Sequence, residues 1–105
     1  MIKSGGENIY PAELERLLLA SPRVQDAVVV RQPDPKWGEV PVAVVVPADP
    51  TLEAEDVLAL CRGHVANYKL PKSVRLVAEA DLPRSTTGKI KRHEVEAMLA
   101  RTPAD

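Results

Sequence analysis

The fold is decided by VQDAVVVR, residues Val24–Arg31, and VPVAVVV, residues Val40–Val46. β-Branched residues favour strands, and a run that is apolar nearly throughout is typical of a strand covered on both faces. A turn at Pro33-Asp34-Pro35, followed by Trp37-Gly38-Glu39, separates the two runs. We therefore expect the two strands to pair with each other.

Helices are predicted on both sides of this pair. Leucines spaced i, i+3 and i+4 behind Pro11 predict a helix over residues 11–20. A second helix is predicted from Thr51 to about Asn67, because one apolar face recurs there at helical spacing and includes His64.

The remaining elements complete an α+β fold. Alternating apolar residues predict a third strand over Ser73–Glu79, and a last short helix is predicted to start near Val95. The expected order is loop-α-β-β-α-β-loop-α, which gives a small three-stranded sheet covered by helices.

Composition excludes several classes of protein. The chain has 105 residues, 45% of them hydrophobic and 28% charged, which is the composition of one globular domain and not of a disordered chain. A net charge of −1 argues against nucleic-acid binding. No apolar stretch approaches the roughly 20 residues of a membrane span. With no Phe, one Trp and two Tyr, the core must be built from small aliphatic side chains.

The cysteine and histidine content argues against disulfide and metal chemistry. A single cysteine, Cys61, is typical of a reducing compartment, so a cytoplasmic location is expected. His64 is interpreted as a core residue, and His93 has no metal-binding partner at workable spacing. No metal site is predicted. Neither Cys61 nor Ser85 has a His and carboxylate pair nearby in sequence, so nucleophilic catalysis has no support.

The segment Arg84–Arg92 is the first candidate site. It carries four cations and no acid, together with three hydroxyl residues and Gly88. Lys91 and Arg92 fall at the start of the predicted last helix, where the dipole disfavours cations, so the fold is expected to gain nothing from them. The composition suits an anionic oxygen such as a phosphate, although a solvated basic loop explains it about equally well.

The opening loop Ser4–Pro11 is the second candidate. Its paired glycines, Gly5 and Gly6, permit positive φ and let a thin ligand approach the backbone, but a plain turn is the more economical interpretation. Trp37 is interpreted as a lid on the edge of the core rather than as a ligand platform.

Taken together, the two loops resemble a known family. Ile2–Glu15 (IKSGGENIYPAELE) is similar to the hinge-side motif, and Leu82–Ile90 (LPRSTTGKI) to the terminal lysine motif, of the C-terminal domain of adenylate-forming enzymes. Within that superfamily the chain resembles the acyl-CoA synthetases. The resemblance also covers the stretches Pro33–Glu39 and Tyr68–Pro71.

The resemblance implies a two-step ligase that uses ATP, Mg²⁺ and CoA. A carboxylic acid and ATP would give an acyl-adenylate and pyrophosphate, and CoA would then displace AMP. The resemblance assigns Lys89 to the first step, where its ammonium would bridge the substrate carboxylate and the α-phosphate. After a domain rotation, Gly5 and Gly6 would line the passage for the pantetheine arm.

The other residues that the resemblance implicates in binding CoA or nucleotide phosphates are Glu7, Arg84, Gly88 and Lys91. The implied partners are a large N-terminal adenylation domain and, at the shared site, CoA and the acyl-adenylate.

The resemblance covers only the small domain of such an enzyme. The family's hinge residue stands just before the segment that matches Met1, and the large domain with the acyl pocket is not part of the 105 residues. We therefore expect residues 1–105 to be the C-terminal domain of a longer synthetase and to be inactive in isolation. Alternatives are a standalone module that docks on a synthetase or carrier protein, or the terminal domain of a peptide-synthetase or luciferase-like enzyme.

Overall fold

A long antiparallel hairpin forms the centre of the computed structural model, which describes residues 1–101. The elements along the chain are β1 (Ile2–Ser4), β2 (Glu7–Ile9), α1 (Pro11–Leu19), β3 (Val24–Asp34), β4 (Gly38–Pro47), α2 (Ala54–Cys61), β5 (Ser73–Leu76) and α3 (Arg92–Arg101). Short 3-10 turns lie at Asn67–Lys69 and Glu79–Asp81. The expected α+β fold is confirmed.

The central hairpin is the predicted pair of valine-rich strands. β3 and β4 pair from Val24 opposite Pro47 to Asp34 opposite Gly38, so both strands are longer than predicted. One residue near the start of β3, Gln25, has no partner on β4 and forms a β-bulge.

The sheet has five strands among the described residues, and the prediction of three is wrong. Its order is β2-β1-β4-β3, with β5 parallel to β4. The opening loop contains the two missing strands, which are only three residues each and too short to show a period. Their pairing places Ile2 opposite Ile9, and both side chains are buried in the core.

Alternation along the hairpin divides the core into two layers. One face of the sheet packs against α1 and α2 through Leu14, Leu18 and Val57, and the other packs against α3 through Val95 and Leu99. Apart from Pro41 and Pro71, every buried side chain among residues 1–101 is Val, Leu, Ile, Ala or Cys. The expected aliphatic core and the covering of the central strands on both faces are confirmed.

Two further predicted boundaries are wrong. α2 ends at Cys61 and not near Asn67, because the backbone becomes extended at Arg62, just before Gly63. His64 therefore lies outside the helix and is exposed, which corrects its assignment to the core. The third strand ends at Leu76 and not at Glu79, with a last hydrogen bond to β4 from the Val77 N–H to the Val45 carbonyl at 2.9 Å. α3 starts at Arg92, one of the two basic residues that the sequence placed at its beginning, and one turn before Val95.

The helices of the described part of the chain are short. None of them is long and apolar enough to cross a membrane.

Candidate functional site

The basic segment forms a tight hairpin that presents Lys89. Arg84 and Ile90 lie opposite each other in an antiparallel bridge. The Ser85 N–H donates to the Lys89 carbonyl at 2.8 Å, and the Gly88 N–H donates to the Ser85 carbonyl at 2.9 Å. The hydroxyl oxygens of Ser85 and Thr87 are 2.9 Å apart. The result is an exposed tip with a fixed backbone.

Both ends of this hairpin are attached to the core. Leu82 is 5% exposed and belongs to the core layer under α3, and Ile90 packs against the same layer. The Lys91 N–H donates to the Pro83 carbonyl at 2.9 Å and closes the base of the hairpin. The base of the hairpin is therefore held by packing on both of its strands, while the tip stays exposed.

Arg84 links the hairpin to two other parts of the chain. Its Nη1 donates to the Gly88 carbonyl at 2.9 Å, its Nε donates to Glu79 Oε1 at 2.9 Å, and its Nη2 pairs with Asp26 Oδ2. The Asp26 and Glu79 carboxylates raise the pKa of Arg84 above its usual value, and the hydrogen bond that Arg84 donates to Asp26 has the larger effect. The predicted contact of Arg84 with a phosphate stays a prediction, and three acceptors of the chain already surround its guanidinium.

Arg92 covers the outer edge of β3. Its Nη1 donates to the Val29 carbonyl at 2.9 Å, its Nη2 donates to Glu15 Oε1 at 2.8 Å, and Glu15 Oε2 accepts the Val29 N–H at 2.8 Å. The hydrogen bond to Glu15 raises the pKa of Arg92. The expectation that the fold gains nothing from Arg92 is therefore wrong.

Lys89 differs from the other cations of its segment. Lys91 pairs with Glu94 at 3.1 Å, and the two arginines of the segment have the partners described above. Lys89 is exposed, and within residues 1–101 its ammonium makes no hydrogen bond or ion pair. An exposed cation on a fixed loop can offer all three N–H donors to an external anion.

The second loop is a two-residue β-turn between β1 and β2. Gly5 has φ +57° and Gly6 has φ +84°, the pair of positive φ angles that a type I′ hairpin turn requires. The Gly5 N–H donates to the Trp37 carbonyl at 2.9 Å, and a Cβ at Gly5 would lie 2.6 Å from Cε3 of the Trp37 ring. Trp37 therefore lies directly against the turn.

The turn before β4 fixes Trp37. Asp34 Oδ1 accepts the N–H of Lys36 at 2.8 Å and of Trp37 at 2.9 Å. The bond from Trp37, followed by the bond from Lys36, lowers the pKa of Asp34. The Lys36 ammonium lies 4.9 Å from the centroid of the indole.

A groove of about 300 Å³ runs beside the glycine turn. Its lining includes Gly5, Glu7, Trp37, Tyr68 and Lys72. Both aromatic side chains are partly exposed, at 41% for Trp37 and 49% for Tyr68. The groove thus combines flat apolar walls with one cation, one carboxylate and an exposed peptide backbone, which suits a slender, mostly apolar ligand that carries polar groups.

A larger cleft of about 610 Å³ lies between the end of β3 and α3. Its lining includes Arg31, Glu39 and Glu96, and the Arg31 guanidinium pairs with both carboxylates, at 3.7 Å from Glu39 and 3.5 Å from Glu96. Neither candidate loop lines this cleft. Its volume alone therefore does not make it the site.

The two loops lie at opposite ends of the domain. The lysine hairpin contacts Asp26 near the start of β3, whereas Ser4, next to the glycine turn, lies opposite Gly38, the partner of Asp34 at the other end. Eight residue steps along a strand span about 25 Å, and the domain measures 33 × 30 × 28 Å. A single bound ligand of ordinary size cannot touch both loops.

The described residues contain no group of three or more His, Cys, Asp or Glu that could hold a metal ion. The His93 side chain is 91% exposed, with Glu96 Oε1 3.7 Å from its Nδ1. Cys61 is buried, and burial raises the pKa of its thiol.

Sequence reasoning missed Asp26 and Glu79 as neighbours of the lysine loop. Asp26 is a single acid in a valine-rich run, and this acid in an otherwise apolar strand is the signal that was present. Trp37 was interpreted as a lid on the core, and it also lines the groove.

Comparison with known proteins places these loops in context. The family model described as the AMP-binding enzyme C-terminal domain matches residues 13–89. The chain is 52% identical over 102 residues to an indoleacetate–CoA ligase of Aromatoleum aromaticum, which covers 96% of the chain and 20% of the ligase. The chain thus spans about a fifth of the length of the curated relatives it matches.

Solved structures show the same fold. A fatty acyl CoA synthetase of Mycobacterium tuberculosis superposes with a TM-score of 0.89 at 38% identity, covering 97% of this chain and 20% of the synthetase. An o-succinylbenzoate CoA synthetase of Bacillus subtilis, solved in complex with its acyl-adenylate intermediate, gives a TM-score of 0.79 at 37% identity and covers 97% of this chain and 19% of that one.

Proposed function

The chain belongs to the family of AMP-binding enzyme C-terminal domains, and from this membership we propose that residues 1–105 are the mobile, catalytic-lysine domain of an AMP-forming acyl-CoA synthetase. The partner of the domain is the large N-terminal adenylation domain. ATP, AMP and CoA are ligands of the joined enzyme, and the isolated domain is inactive. The location of the enzyme is the cytoplasm.

Lys89 acts in the first half-reaction. An oxygen of the substrate carboxylate attacks the α-phosphorus of ATP, and the bond from that phosphorus to pyrophosphate breaks. Two anions approach each other in this step, so a cation placed between them stabilises the transition state. The free, exposed ammonium of Lys89 supports this role, because the other cations of its segment are already paired.

The position of the two loops carries the proposal. The β3 positions nearest to them, Asp26 and Asp34, are about 25 Å apart, so one active site receives only one of the two loops at a time. A domain that serves two successive steps at one site must therefore rotate between them, as in hinge-type closure. Lys89 is presented for adenylation, and the glycine turn is presented for thioester formation.

The groove beside the glycine turn takes the pantetheine arm of CoA. Its apolar walls at Trp37 and Tyr68 fit the pantetheine chain, and Gly5, on the lining, exposes backbone where a side chain would narrow the passage. Gly6, the next residue of the turn, is proposed to face the same passage. Lys72 supplies positive charge for a phosphate, and Glu7 lies on the same wall. The CoA sulfur then attacks the acyl carbonyl, and AMP leaves.

The remaining binding residues lie at the lysine end. Gly88 and Lys91 lie within two residues of Lys89 and are proposed to face the nucleotide phosphates, whereas the Arg84 guanidinium is already paired with Asp26 and Glu79. No ligand set for Mg²⁺ occurs among the described residues, so the metal is assigned to ATP and the large domain, and none of these steps is routed through it. The names of the relatives, which are CoA ligases and synthases, favour this function over a non-catalytic docking module.

A hybrid enzyme tests the proposal. The chain is fused to the large domain of the Aromatoleum aromaticum ligase, and pyrophosphate release is measured with indoleacetate. Lys89→Ala is expected to slow this step by on the order of a hundredfold or more, as for the loss of a transition-state donor. Arg16→Ala, which removes an exposed cation outside both loops, is the control. An unchanged rate in Lys89→Ala would overturn the assignment.

A further inference from the structure

The hairpin that carries Lys89 has few contacts of its own at the tip. Thr86, Thr87, Gly88 and Lys89 are all exposed, and the backbone bonds of the turn connect the hairpin only to itself. The anchors Leu82 and Ile90 lie at its base. Something else must set the direction of the tip relative to the sheet.

Arg84 is placed to do this. Its guanidinium uses Nη1 for the Gly88 carbonyl, Nη2 for Asp26 and Nε with Nη2 for Glu79. These three acceptors belong to the hairpin, to β3 and to the 3-10 turn before the hairpin. A planar guanidinium holds such a set in one orientation, which a lysine ammonium cannot do.

The contact with Gly88 matters most for Lys89. The Gly88 carbonyl belongs to the peptide bond that joins Gly88 to Lys89, so Arg84 grips the backbone directly before the Lys89 Cα. A shift of this peptide moves the ammonium by a similar amount. Misplacing a reacting group by 1 Å can lower a rate by about a hundredfold.

The β-bulge in β3 positions the carboxylate that holds Arg84 from the sheet. The extra residue, Gln25, donates to Glu79 Oε2 at 3.3 Å, while Asp26 Oδ1 accepts the Ala27 N–H at 2.9 Å and leaves Oδ2 for Arg84. The Asp26 side chain is 26% exposed and the Arg84 side chain 28% exposed. A bulge typically serves to re-aim a side chain, and this one aims Asp26 at the lysine hairpin.

From this geometry we propose that Arg84, Asp26 and Glu79 form a positioning clamp for Lys89 in adenylation. The proposal rests on the proposed role of Lys89. It differs from direct phosphate binding by Arg84, because two carboxylates neutralise the guanidinium and a phosphate would have to displace one of them. The clamp predicts that loss of Asp26 slows adenylation as much as loss of Arg84 does, although Asp26 is an anion that would repel ATP.

The test uses Asp26→Asn in the hybrid enzyme. The amide keeps an oxygen for the Ala27 N–H and removes the charge that holds Arg84. We expect kcat for pyrophosphate release to fall about 10- to 100-fold, with KM for ATP within threefold of the parent value. Thioester formation from supplied acyl-adenylate should be unchanged, because Lys89 is withdrawn in that step. Asp81→Ala, an exposed acid next to Glu79, is the matched control.

Further variants distinguish positioning of Lys89 from direct phosphate binding by Arg84. In a Lys89→Ala background, Asp26→Asn should cause no additional loss. Arg84→Lys, which keeps the charge but not the planar fork, should also lower kcat for adenylation. If Asp26→Asn adenylates normally while Arg84→Lys raises KM for ATP, Arg84 binds phosphate and the clamp is wrong.

Equal loss of both half-reactions in Asp26→Asn, with a lowered melting temperature, would also overturn the clamp in favour of a purely structural role. If Lys89→Ala itself adenylates normally, it is the proposed function that fails.

Discussion

Alanine substitutions at Gly5 and Gly6 should differ in their effect on stability, because only Gly5 lies against the Trp37 ring. Both glycines have positive φ, so an alanine at either position costs roughly 1–2 kcal/mol of conformational energy. Only at Gly5 does a new Cβ collide with something, namely Trp37 Cε3 at 2.6 Å, whereas the Cβ at Gly6 would meet nothing within 4 Å. Overpacking costs about 1–3 kcal/mol more.

We therefore expect Gly5→Ala to lower the free energy of unfolding by about 2–5 kcal/mol and Gly6→Ala by about 1–2 kcal/mol. The assay is urea unfolding of the 105-residue chain at one temperature, with both variants and the parent measured together. The difference between the variants should correspond to a melting temperature lower by at least about 4 °C in Gly5→Ala.

The double variant identifies the cause. In a Trp37→Ala background the collision is gone, so Gly5→Ala should cost no more than Gly6→Ala does. Equal destabilisation by the two single variants, or an undiminished effect of Gly5→Ala without Trp37, would refute the reasoning.

Two further predictions concern single carboxylates. Glu15→Ala removes the acceptor of the Val29 N–H on the outer edge of β3 and should lower the free energy of unfolding by about 1–3 kcal/mol. Glu15→Gln, which retains an acceptor, should lower it less in the same urea titration. Asp49 accepts two bonds from Thr51 and one from Arg23, in that order of effect, and these lower its pKa to about 2. The resulting stability is present above pH 4 and is lost between pH 4 and pH 2. As the pH falls from 5 to 2.5, the free energy of unfolding of Asp49→Asn should therefore decrease less than that of the parent. Equal decreases in the two proteins would contradict this.

The central strands were predictable because their signal is local. A run such as Val40–Val46 has strand propensity at almost every position and needs no distant residue to explain it. The β1–β2 hairpin was not predictable in this way, since its strands are three residues long. The paired glycines were the available signal, because two adjacent residues with positive φ are typical of a two-residue hairpin turn.

The predicted second helix was too long for a related reason. The apolar spacing of Val57 and Cys61 continues to Val65, but the helix ends at Cys61 because the backbone is extended at Arg62. Apolar periodicity indicates which residues face the core, but it does not indicate where the helix ends.

The candidate site was likewise only partly predictable, because one of its features has a local sequence signal and the other depends on a distant contact. Lys89 was identified from a dense local cluster of cations and from a family resemblance. Its support by Asp26 depends on a contact across 58 positions of sequence and on a β-bulge. Such a contact exists only once the sheet and the hairpin have formed, so the sequence marks Asp26 as a lone acid in a valine-rich run but does not identify Arg84 as its partner.

The most direct test of the central claim, that Lys89 serves only the first half-reaction, is the rate of thioester formation in the Lys89→Ala hybrid enzyme. The enzyme is supplied with preformed indoleacetyl-adenylate and CoA, and indoleacetyl-CoA is measured over time. Alternation of two loops at one site predicts a rate within about threefold of the parent hybrid, while pyrophosphate release in the same preparation falls by on the order of a hundredfold. A comparable loss in both half-reactions would contradict the alternation.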